Sequence, residues 1–249
     1  FNWVSQNKNR IFEEEKSEYT FRTINSLIKS VKDLQKKFKG IKTKFTIIDV
    51  NSPKSHIERI LSKITNDGFE VEHIPVEDIK GYVNNMSTTM ASIRKSFYHA
   101  KKCNDLIYFV EDDYIHKTES LAEMLFAYEK FSSIFKNEIF ILSTDYPYLY
   151  KNMDNSSILI GENTHWRTVK ESLLTFMTSR KMIEKHFEKL IDMATNQSNP
   201  FEKNLHEIYQ KEQCFSPIPS LSIHCANINS VFGLSPNINL KKLWNDNKN

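Results

Sequence analysis

Asp105-Leu106-Ile107-Tyr108-Phe109-Val110-Glu111-Asp112-Asp113-Tyr114-Ile115-His116 is the stretch whose reading decides the fold. Leu106 to Val110 is continuously apolar and rich in aromatic and β-branched residues, as in a strand covered on both faces. It runs directly into Glu111, Asp112 and Asp113. In an open α/β sheet, ligands bind beyond the carboxyl ends of the strands. Carboxylates crowded at such a place repel one another, so a cation is expected among them. A divalent metal with oxygen ligands has the right chemistry; the competing reading is a solvated acidic turn.

Working outward, helix-like and strand-like segments alternate. Asn2 to Ser5 suits a short first strand. Phe21, Ile24, Leu27, Ile28, Val31 and Leu34 recur at helical spacing, with Thr20 as a cap and a Lys-rich opposite face (Lys29, Lys32, Lys36, Lys37). Phe45 to Ile48 is a β-rich run ending in Asp49, and Ile57, Ile60, Leu61 and Ile64 predict a second helix stopped by Asn66-Asp67-Gly68. Val71 to Val76 reads as a strand, and Met86, Met90, Ile93, Phe97 and Ala100 as a third helix. After the acidic string come a helix through Leu121, Met124, Leu125 and Tyr128 and a buried strand from Ile139 to Leu142. This order predicts a parallel sheet with helices on both faces.

The second half reads differently. Ser157 to Ile160 and Leu173 to Met177 suit strands around a polar loop, helices follow over Met182 to Ile191 and Phe201 to Lys211, and Ile218 to His224 is a last strand. The Asn- and Lys-rich tail after Ser235 is expected to pack loosely. With no repeat and no Gly/Ser linker, residues 1–249 read as one domain with a mixed-sheet second half.

Composition narrows the class. The 249 residues include 39% hydrophobic and 12% aromatic side chains and carry a net charge of +3, which excludes a disordered chain. The 5 Gly and 7 Pro exclude collagen-like and low-complexity classes. No apolar run approaches the ~20 residues of a membrane span. Nearly balanced charge, no RNP-type strand and no zinc-finger spacing argue against a nucleic-acid partner. Cys103, Cys214 and Cys225 form no disulfide framework and no CxxC pair, which suits reduced thiols and a cytoplasmic location.

The segment order and the string Phe109-Val110-Glu111-Asp112-Asp113-Tyr114 resemble nucleotide-sugar glycosyltransferases of the GT-A fold, near the large family-2-like group. The resemblance implies an α/β fold with a mixed sheet flanked by helices. Its parallel N-terminal half, residues 1–115, would bind the nucleotide sugar, and an acceptor half would span 116–249. In such enzymes an acidic DxD-type motif, often EDD, ends the fourth strand, and its last Asp binds Mn²⁺ or Mg²⁺. Carried over, Asp113 is the metal ligand, with Glu111 and Asp112 nearer the sugar or ribose. Phe45 to Ser52 resembles the second strand, which assigns Asp49 to the uracil or ribose with Asn51 beside it; a plain turn-forming Asp is the rival reading. Arg94 falls where a donor-contacting polar residue is common, though a helix Arg is more often solvated. His224, ending Pro219 to His224, stands in the order of a C-terminal metal-binding His, and a neutral imidazole suits Mn²⁺.

Asn199 to Gln210 resembles the helix whose final acid is the catalytic base of inverting members. That acid is Glu202, although Phe201 replaces the usual Glu; Glu207, about one turn on, is the rival, and an ordinary helix-start Glu the plain alternative. Asp145, with Tyr146, Tyr148 and Tyr150, is a second candidate base, and His165, Trp166 and Arg167 complete a segment suited to an acceptor sugar.

The reading is a metal-dependent, inverting glycosyltransferase that moves a sugar from a nucleotide sugar, a UDP-sugar by preference, to a hydroxyl of a glycan or lipid-linked acceptor. The Lys-rich face suits peripheral contact with anionic lipid at the inner face of a membrane, or simply solvent. Two other classes stay open: a sugar nucleotidyltransferase, which lacks its usual Gly-rich loop here, and an inactive binding module, which the atypical Phe201-Glu202-Lys203-Asn204 string favours.

Overall fold

A computed structural model describes residues 10–76, 85–150, 153, 155–225, 235 and 238–248. The expected strand at Asn2 to Ser5 lies outside them. Helix α1 (Lys16–Lys37) begins one turn before the expected cap. Thr20 is therefore inside the helix, where its hydroxyl donates to the Lys16 carbonyl at 3.3 Å. The apolar stripe of α1 packs on strand β4 (Tyr114–His116) and helix α4 (Ser120–Phe135). Strands β1 (Lys44–Asp49) and β2 (Glu70–Pro75) pair in parallel, joined by helix α2 (Lys54–Asn66). Gly68 follows α2 at φ 88°, a left-handed conformation that glycine adopts without a Cβ clash. Helix α3 (Asn85–Ala100) leads into β3 (Leu106–Phe109).

The large sheet adds β5 (Phe140–Leu142), β6 (Ile158–Ile160), β7 (His165–Thr168), β8 (Phe176–Ser179) and β9 (Cys214–Ile218). Its order is β3-β8-β5-β9-β7-β6, six strands among the described residues. The chain is thus mixed α/β, with helices on both faces. The expected parallel first half is corrected. Among the described residues only β1–β2 and β5–β9 pair in parallel, β1–β2 forms its own sheet, and β8 returns antiparallel between β3 and β5. Within the described residues β3 is therefore an edge strand and only half-buried, while β5 and β8 beside it are fully buried.

Side chains alternate across the sheet with the period of two that strands impose. Ile141, Met177 and Phe215 meet α1, α2 and α4 on one face. Phe140, Leu142, Phe176 and Cys214 meet α3, α5 (Arg180–Lys185), α6 (Phe187–Met193) and α7 (Lys203–Tyr209) on the other. The tail also departs from expectation. Helix α8 (Leu240–Asp246) is held by buried Trp244, which stacks on Phe12 at 4.2 Å and lies under the Arg22 guanidinium at 4.0 Å.

The small pair β4–β10 positions the site. Strand β10 (Ser222–His224) runs antiparallel to β4 with His224 opposite Tyr114. The Cys225 N–H donates to the Asp113 carbonyl at 2.8 Å and clamps the acidic turn to this pair. Among the Lys-rich face residues, Lys29 donates to the Asp246 carbonyl, Lys32 pairs with Asp67 at 2.5 Å and Lys37 with Asp33 at 3.3 Å. No described helix is long and apolar enough to cross a membrane. The cysteines are free thiols, Cys214 and Cys225 buried and Cys103 half-buried.

Candidate functional site

Strand β3 ends at Phe109, and the turn after it delivers Glu111, Asp112 and Asp113 into a cleft of about 630 Å³ bounded by α3, β1 and β3. That volume lies within the ordinary range of small-molecule sites. Five residues singled out from the sequence line it: Glu111, Asp112, Asp113, Glu202 and His224. They reach it from three parts of the chain, because α7 starts just after Glu202 and β10 ends at His224.

The acidic turn is held by basic side chains. Lys16 Nζ donates to Asp112 Oδ1 and lies 3.7 Å from Asp113 Oδ2. Arg10 Nη1 lies 3.3 Å from the same Asp113 oxygen, and the Thr20 hydroxyl donates to Asp112 Oδ2 at 3.3 Å. Asp113 Oδ1 faces His224 Nε2 at 3.3 Å, and the His224 ring stacks on Tyr114 with centroids 4.6 Å apart. The Glu111 N–H donates to Thr175 Oγ1 at 3.1 Å, while its Oε2 is buried without a protein partner.

These surroundings divide the titration behaviour. Burial pushes the Glu111 carboxyl up to about 7, opposed by His224 and reinforced by Asp113. Burial acts in the same direction on Asp112 and Asp113 and is the largest single influence, but the positive charges and hydrogen bonds around them, Lys16 foremost, together outweigh it; with His224 and Arg10 added, Asp113 ends well below the usual carboxylate range. Burial alone would lower His224, yet Asp113 holds it above its ordinary value. Burial also raises Glu202.

As the side chains stand, this set does not fit a divalent ion. Among the described residues no three His, Cys, Asp or Glu side chains converge as a metal-binding group. Lys16 and Arg10 are already seated on the carboxylates, so an added ion would face two fixed positive charges. At an effective dielectric of ~20, even unit charges ~4 Å apart repel by about 4 kcal/mol.

The other sequence candidates lie elsewhere. Asp49, buried at the end of β1, accepts the Ser52 N–H at 3.3 Å, the turn-forming role, and lies 3.7 Å from His73 Nε2. Asn51 is exposed at φ 56°. Arg94 is half-buried on α3 but does not line the cleft. Asp145 is buried in an ion pair with Arg167 at 2.9 Å and accepts from the Tyr150 hydroxyl at 2.5 Å. Trp166 is fully buried, its indole N–H donating to Glu123 at 3.3 Å, so its faces are not open to a sugar. Tyr146 is likewise buried, its hydroxyl 2.9 Å from that of Tyr114. Glu207 forms a surface pair with Lys189.

Sequence reasoning missed Arg10 and Lys16. It also missed the polar stripe of α3, where Thr89, Ser92, Ser96 and His99 face the cleft at three- and four-residue spacing. That periodicity was readable beside the apolar one. No protein-family model matches the chain, and no curated protein matches it.

Proposed function

We propose that this cleft binds a nucleoside-diphosphate sugar, a UDP-sugar by preference, and transfers its sugar to an acceptor hydroxyl, on a variant of the GT-A fold. The observation that carries this reading is the convergence of Glu111, Asp112, Asp113, Glu202 and His224 on one cleft at the exit of β3. Four basic or hydroxylic elements border it: Arg10, Lys16, His224 and the α3 stripe. The cations suit phosphates, and the Thr89, Ser92 and Ser96 hydroxyls suit the edges of ribose or sugar. Glu202 is the base of this reading. Its upward shift brings a carboxylate closer to the working range of a general base at neutral pH. Asp145, tied to Arg167 and Tyr150, takes a structural part instead.

The test is calorimetric titration with UDP, GDP and CDP, followed by release of nucleoside diphosphate from a panel of sugar nucleotides. Binding of one diphosphate and slow donor hydrolysis are the expected results. Silence toward every diphosphate, or consumption of nucleoside triphosphate with release of pyrophosphate, contradicts the reading.

A further inference from the structure

The acidic turn carries its counterions within the chain. Lys16, the first residue of α1, is 5% exposed, and Arg10 is 6% exposed. A buried ammonium or guanidinium persists when it is paired, so the contacts to Asp112 and Asp113 fix both cations at the exit of β3. Both side chains also line the cleft. The enzymes that the sequence resembles place a divalent ion at this turn; here side chains fill that place. An ammonium has three donors. The Lys16 ammonium hydrogen-bonds Asp112 and lies 3.7 Å from Asp113, an ion-pair contact longer than a hydrogen bond, so its donors are not all taken up by the turn.

We propose, resting on the donor reading above, that Lys16 and Arg10 supply the positive charge that meets the donor's diphosphate, so that binding and transfer need no divalent metal. In the transfer, the acceptor oxygen bonds to the anomeric carbon as the bond from that carbon to the diphosphate oxygen breaks. The bonding pair leaves on the diphosphate, where Lys16 and Arg10 receive the new negative charge. The hydroxyl proton passes to the Glu202 carboxylate. Asp112 and Asp113 position the two cations, His224 holds Asp113, and none of the three ligates metal.

Manganese(II) titration followed by electron paramagnetic resonance, and UDP calorimetry in EDTA and in manganese, test this together. The wild type is expected to take up no stoichiometric manganese and to bind UDP equally in both buffers. The Lys16→Met/Arg10→Gln double variant bares the carboxylates and is expected to bind manganese at least roughly tenfold more tightly than the wild type. It is also expected to lose UDP binding in EDTA, and Lys16→Arg to retain it. Stoichiometric manganese on the wild type, or UDP affinity raised tenfold by manganese, overturns the inference without any need for the double variant to fold. Absence of UDP binding in both buffers instead overturns the donor reading, so the two failures are told apart.

Discussion

His224 Nε2 stands 3.3 Å from Asp113 Oδ1, held there by the antiparallel register that sets His224 opposite Tyr114. The pair is stabilising in a defined window. A histidine raised in the folded state contributes fully below its unfolded value of 6.5 and loses that contribution as pH climbs through the folded value. A depressed Asp113 contributes above its unfolded value of 3.8 and loses it as pH falls toward the folded one. The His224–Asp113 contact therefore stabilises most between those limits. Asp113→Asn is expected to lower the His224 titration midpoint, because burial is then opposed by Glu111 alone. Imidazole chemical shifts followed against pH check this; an unchanged midpoint contradicts it.

Glu111 has the opposite sign from Asp113. Its carboxyl is raised from 4.5 to about 7, so the fold favours its protonated form and loses stability as pH rises between those values. The loss amounts to about 3 kcal/mol. Glu111→Gln keeps the shape and removes the titration. Denaturant unfolding should find the variant close to wild type at pH 4 and more stable than wild type at pH 8. A stability difference independent of pH would show that the burial of Oε2 does not govern this group.

Asp145 and Arg167 are both buried and form an ion pair at 2.9 Å. Arg167→Met strands the Asp145 carboxylate, a change that costs about 3–5 kcal/mol for a buried pair. Urea unfolding should register that loss, with UDP affinity of the folded fraction unchanged. Loss of UDP binding at full stability would return Asp145 to the site.

Glu202→Gln removes a base and keeps the side-chain shape. A fall in kcat of roughly 10²–10⁴-fold with little change in donor KM is expected. Glu207→Gln, which only breaks a surface pair with Lys189, should leave turnover intact. Reversed outcomes would move the base one turn along α7.

Much of the fold was legible because its longer elements repeat cleanly. The stripe of α1, the stop after α2 at Gly68 and the apolar run of β3 all fall where the sequence places them. What escaped was short or disguised. Strand β4 is three residues long and follows directly on the acidic turn. Strand β7 is His165-Trp166-Arg167-Thr168, whose polar residues read as a loop while Trp166 and Arg167 are buried in place. Strand β9 contains Pro217, which lacks a donor and reads as a break. At the site, the need for a cation beside Asp112 and Asp113 was legible from charge alone. That Lys16 and Arg10 meet it was not, because the contact joins segments far apart in the chain and depends on α1 beginning at Lys16 rather than Thr20.

The central claim, that the exit of β3 holds a nucleoside diphosphate, is tested most directly by a crystal structure of the protein grown with saturating UDP. Diphosphate density within hydrogen-bonding distance of Lys16 and Arg10, inside the cleft that Asp113, Glu202 and His224 line, is the result predicted. A cleft empty at saturation, or UDP seated against another face of the molecule, would contradict it.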